Sequence, residues 1–95
     1  FSYNRLDLHL KEEQKLAIMD NCKNGSYKDF GGVAISKVED LDGYKFYLEE
    51  EETVMIRASG TEPLLRVYVE AANEGRVNVL MEKVRTTLVG AAAAH

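Results

Sequence analysis

The chain has no tryptophan, one cysteine and one proline among its 95 residues. The lone Cys22 excludes an internal disulfide, and its place among helical positions reads as a small buried hydrophobe rather than a nucleophile. No apolar run approaches the length of a membrane span, and neither a signal peptide nor an initiating Met is visible. The two histidines, His9 and His95, have no neighbouring pattern that suggests a triad or a Cys/His metal site. Glycine-rich Walker and dinucleotide-binding signatures are absent. Basic residues number 12 against 16 acidic ones, a net charge of −4 with a pI near 5.1, so the basic surface expected of a nucleic-acid binder is missing. Neither nucleic acid nor a membrane is expected as a partner.

What is present suits one small folded domain: 45% hydrophobic and 29% charged residues. The opening Phe1-Ser2-Tyr3-Asn4-Arg5 reads as mid-protein sequence, so residues 1–90 are expected to be an excised domain. Residues 91–95, mostly alanine, read as a tail of the kind a vector adds, with no assigned function. Leu6 to Leu10 alternates as a short strand or extended lead-in would. Lys11 to Asn24 reads as a helix with Leu16, Ile18, Met19 and Cys22 in one arc, Lys15, Asp20 and Lys23 on its polar surface, and Gly25 as a left-handed cap. Tyr27 to Gly32 reads as a loop and Gly32 to Val38 as a strand. Asp42-Gly43 marks a hairpin turn, and Tyr44 to Leu48 is the return strand. Glu49 to Glu52 reads as a solvated turn, because adjacent carboxylates in extended chain point alternately and cannot converge on a metal. Thr53 to Ile56 and Leu65 to Ala71 are strands. A final helix from Asn73 or Glu74 to Leu88 carries the stripe Val77, Leu80, Met81, Val84, Leu88. Short connections make neighbouring strands antiparallel. The expected class is α+β, in two layers: a four-stranded antiparallel sheet in meander order with both helices on one face.

The chemistry concentrates in Arg57-Ala58-Ser59-Gly60-Thr61-Glu62-Pro63. Arg57 offers a fork of donors matched to phosphate oxygens, and Ser59 and Thr61 add hydroxyls. Gly60 opens its backbone N–H to close approach and permits a left-handed φ, from which an anion-binding nest can form. Ser-Gly-Thr is also ordinary turn chemistry, and an arginine at a strand end is commonly a solvated flank. Arg66, beyond the loop and pointing outward, either adds charge to the site or pairs with Glu62 or Glu70. Glu62 and Pro63 are expected to shape the loop.

The order of these residues decides between the readings. Arg57-Ala58-Ser59-Gly60-Thr61-Glu62-Pro63 with Leu64-Leu65-Arg66-Val67-Tyr68-Val69-Glu70-Ala71 closely resembles the phosphate-binding signature of the α-D-phosphohexomutases: phosphoglucomutase, phosphomannomutase and phosphoglucosamine mutase. The likeness runs without a gap from Ile56 to Ala71, and the Asp42-Gly43 hairpin and last helix fall where the family's fourth domain has them. The resemblance implies a TATA-box-binding-protein-like fold and a substrate-phosphate site at Arg57, Ser59, Gly60, Thr61 and Arg66; some members carry Asn in place of Gly60. It implies a cytoplasmic isomerase that interconverts hexose 1-phosphate and hexose 6-phosphate through a phosphoserine and a bisphosphorylated intermediate. The sugar stays open among glucose, mannose and glucosamine phosphates, with glucose or mannose preferred from the look of segments 42–46 and 66–71. The phosphoserine and the Mg2+ site of that family lie in other domains, so this chain alone is expected to be inactive, with a phosphohexose and those domains as its partners. The competing reading is a stand-alone module that binds a small anion or a protein.

Overall fold

The computed structural model describes residues 1–49 and 51–90, Leu41 by its backbone alone; Glu50 and the alanine-rich tail lie outside the described residues. Its elements run β1 Ser2–His9, α1 Glu12–Asn24, β2 Asp29–Phe30, β3 Val33–Ala34, β4 Lys37–Leu41, β5 Gly43–Tyr47, β6 Thr53–Ala58, β7 Leu64–Ala71 and α2 Glu74–Arg85, with one wide π turn at Thr86–Gly90.

Alternation builds the sheet. In β7, Leu65, Val67, Val69 and Ala71 are buried while Arg66, Tyr68 and Glu70 point to the opposite face. Val54 and Ile56 of β6 lie beside Val69 and Val67, and Phe46 of β5 lies beside Val54, so the inward parity carries across the register. The strands are antiparallel in the order β1-β7-β6-β5-β4, the last four in the expected meander. The α+β class and the placement of both helices agree with expectation; the sheet is one strand wider. The lead-in is a full edge strand, paired from Ser2↔Ala71 to His9↔Leu64.

Both helices cover the apolar face. Ile18 and Cys22 of α1, Val77, Leu80 and Val84 of α2, and Leu88 join the sheet residues in one core. Gly25 ends α1 at φ 68°, and the Asn73 side chain accepts from the Arg76 N–H to start α2; the helix expected to run on to Leu88 is α-helical only to Arg85 and widens into the π turn at Thr86–Gly90. Burial pushes the Cys22 thiol up to about 12, so it packs as an inert hydrophobe.

Four expectations are corrected. Leu16 is 58% exposed, whereas Lys15 is only 8% exposed; the inward stripe of α1 is Lys15, Ile18 and Cys22, at spacings of three and four. The segment read as a loop holds β2, paired with β3, and its Phe30 is fully buried edge-on against Phe46 at 5.2 Å. The run read as one strand from Gly32 breaks between β3 and β4, where Ser36 donates from both its N–H and its hydroxyl to the Tyr47 carbonyl. Glu52 is not solvated. It is 2% exposed and receives the Arg76 guanidinium, Nε at 2.5 Å and Nη2 at 3.2 Å. No helix among the described residues is long and apolar enough to cross a membrane.

Candidate functional site

The helix-free face of the sheet carries its polar side chains in cross-strand rows. Arg57 of β6 lies directly opposite Arg66 of β7, and Arg66 lies opposite Asp7 of β1. Two guanidinium groups facing one another on a sheet repel. Each has a carboxylate near: Arg57 Nη2 donates to Asp42 Oδ2 at 2.7 Å, and Asp7 flanks Arg66 in the ladder. Asp7 itself pairs with Arg5 at 3.3 Å. The Arg66 Nε is buried without a hydrogen-bond partner among the described residues. No ion pair there joins Arg66 to Glu62 or Glu70, so of its expected roles the added charge is the one the geometry leaves open.

Arg57 sits where it does because of a glycine across the ladder. Gly43, at φ 131°, opens β5 after Asp42, and a Cβ built there would lie 2.5 Å from Arg57 Cγ and 2.8 Å from the Ile56 carbonyl oxygen. The missing side chain leaves the space the arginine stem occupies. The next residue back, Asp42, then meets the guanidinium. The pair is exposed, 44% for the Arg57 side chain and 89% for Asp42, so it is weak and readily exchanged.

The loop from Ser59 to Pro63 is closed by its own backbone and side chains. Ser59 N–H donates to the Leu64 carbonyl at 3.2 Å, and Leu64 N–H to the Glu62 carbonyl at 2.8 Å. The Ser59 Oγ accepts from the amides of Thr61 at 3.4 Å and Glu62 at 3.2 Å. Those contacts use the hydroxyl oxygen as an acceptor, and the hydroxyl donates to no group among the described residues. Gly60 is exposed and does not adopt a left-handed φ, so the nest expected at that residue is not formed. A Cβ on Gly60 would meet nothing within 4 Å. Its contribution is an open amide rather than a special conformation.

The loop is anchored from outside at two points. Leu10 N–H donates to the Pro63 carbonyl at 2.9 Å. From α1, Lys15 Nζ donates to the carbonyls of Ser59 at 3.2 Å and Glu62 at 3.4 Å. Sequence reasoning missed this lysine. The available signal was its place on the same helical stripe as Ile18 and Cys22.

The arrangement therefore presents two adjacent cations, a serine hydroxyl, an exposed threonine and an open glycine amide on one side of the domain. It offers hydrogen-bond donors and positive charge suited to an anion. Among the described residues no group of three or more His, Cys, Asp or Glu side chains is placed to hold a metal ion.

The sequence was also compared with known proteins. Residues 9–87 match the family described as phosphoglucomutase/phosphomannomutase, C-terminal domain. A phosphoglucosamine mutase from Methanococcus aeolicus is 38% identical over 84 residues, covering 87% of this chain and 17% of that protein. Phosphoglucosamine mutases from Halorhodospira halophila and Methanocaldococcus jannaschii are 44% identical over 54 residues and 51% over 45, covering 57% and 47% of this chain and 12% and 10% of their own length. The chain thus spans less than a fifth of the relatives it matches.

Proposed function

This chain belongs to the phosphoglucomutase/phosphomannomutase C-terminal domain family, and from that premise we propose that it grips the phosphate of a phosphohexose for a mutase whose chemistry lies in other domains. The observation that supports the reading is that Arg57 and Arg66 face each other across β6 and β7, next to the loop from Ser59 to Pro63 that joins the two strands, with an Arg66 Nε that has no hydrogen-bond partner among the described residues. A phosphate dianion relieves the repulsion of the two arginines and takes the donors they leave unused.

In the proposed reaction a phosphoserine outside this chain donates its phosphoryl group to one sugar hydroxyl. The bisphosphorylated sugar then turns around, and the enzyme takes back the other phosphate. The site described here holds the phosphate that is not reacting. That contact fixes the sugar and brings the reactive hydroxyl into line, so remote binding energy is used for orientation. Arg57 supplies the main charge, Arg66 a second, Ser59 and Thr61 their hydroxyls, and Gly60 its amide. The family's Mg2+ finds no ligand set among the described residues of this chain.

The sugar is the finer question. The sequence leaves glucose, mannose and glucosamine phosphates open with a preference for the first two, and the relatives' name, phosphoglucosamine mutase, supports the amino-sugar phosphate. The test is steady-state kinetics of the full-length enzyme with Arg57→Ala. We expect a raised KM and a loss in kcat/KM worth about 2–4 kcal/mol, the scale of a charged hydrogen-bonding partner. Unchanged kinetics would sink the assignment. Comparing glucose, mannose and glucosamine phosphates in the same assay resolves the sugar.

A further inference from the structure

We infer that Lys15 is a positioning residue of the phosphate site: its buried ammonium aims the Gly60 amide outward and adds a fixed positive charge beneath the loop. The inference rests on the phosphate reading above and extends it to a residue on another element.

Lys15 is 8% exposed, unusual for a lysine, and its three ammonium protons face three acceptors. Two are the carbonyls of Ser59 and Glu62, at 3.2 and 3.4 Å; the third is Glu12 Oε2 at 3.3 Å. The two carbonyls bracket Gly60 and Thr61. No peptide bond is cis, and in a trans peptide the C=O and the following N–H point in opposite directions. With the Ser59 carbonyl turned to Lys15, the Gly60 N–H is turned away from it, and that amide donates to no group among the described residues. At Glu62 the following residue is Pro63, which has no N–H, so the second contact fixes the loop without losing a donor. A charge held in a poorly solvated position is screened less than one at the surface and therefore acts on a nearby anion. Its counter-ion Glu12 has a side chain 60% exposed and compensates it only partly.

The test is a titration of the 95-residue chain with inorganic phosphate, followed by amide NMR in the wild type, Lys15→Gln and Lys15→Arg. We expect Lys15→Gln to bind phosphate about fivefold more weakly with a diminished Gly60 amide shift, and Lys15→Arg to stay within about twofold of wild type, because it keeps charge and donors. A role confined to stability would leave the affinity of the folded Lys15→Gln protein at the wild-type value, and that result overturns the inference while leaving the phosphate reading standing. A wild-type loop that shows no shift removes the phosphate reading and the inference together. Should Lys15→Gln not fold, Glu12→Gln decides, since it removes only the exposed counter-charge: phosphate binding tightened about twofold supports the inference, and unchanged or weaker binding overturns it.

Discussion

At the scale of single residues the site is a matter of which donors are already taken. Arg57 is engaged by Asp42 at 2.7 Å, while Arg66 retains a buried Nε with no hydrogen-bond partner among the described residues. In the proposed reading an incoming phosphate would exchange with the Asp42 carboxylate and meet its negative charge. Asp42→Asn should therefore tighten phosphate binding roughly twofold to fivefold, about 0.4–1 kcal/mol on the scale of an exposed ion pair. Calorimetry on the two proteins reads this directly, and weaker binding in the variant would make Asp42 an orienting group for Arg57 rather than a competitor. Ser59 shows a similar division. Its oxygen serves the loop amides of Thr61 and Glu62, which leaves its proton available for a ligand in the proposed reading.

At the scale of elements, the β4–β5 hairpin and α1 build the site as much as the loop does. Gly43 combines a φ of 131° with a direct conflict between any Cβ and the Arg57 stem. Gly43→Ala should destabilise the domain by about 1–3 kcal/mol through backbone strain alone. Thermal unfolding measures that loss, and an unchanged melting temperature would refute the account of the turn. Much of this layer was legible beforehand. The α2 stripe, the Gly25 cap, the parity of β7 and the loop itself follow from local periodicity and residue chemistry, which act over a few positions. The misses share one cause, a partner distant in sequence. Phe30 sits among Asp29, Gly31 and Gly32 and reads as loop, yet its burial comes from Phe46. Lys15 reads as surface because its acceptors are backbone carbonyls 44 and 47 residues away, which leave no mark in residue type. Glu52 seemed part of a solvated acidic turn, although it shares the inward parity of Val54 and Ile56; its charge is accommodated by Arg76, 24 residues on. The cross-strand facing of Arg57 and Arg66 needed the register.

At the scale of the whole molecule, an acidic chain of net charge −4 concentrates arginine on the helix-free face and puts the apolar side of the sheet under two helices. The helices and the core hold the sheet rigid, and the sheet holds Arg57 and Arg66 side by side at fixed register. In the proposed reading such a domain serves as an anchor for an anion, and the chain spans 17% of the length of a phosphoglucosamine mutase relative. The most direct measurement is an amide NMR titration of this chain with inorganic phosphate and, separately, glucose 1-phosphate. The account predicts shifts concentrated at Arg57 to Thr61 and at Arg66 with both ligands, including the Gly60 amide. Shifts elsewhere on the domain with that loop silent would contradict it.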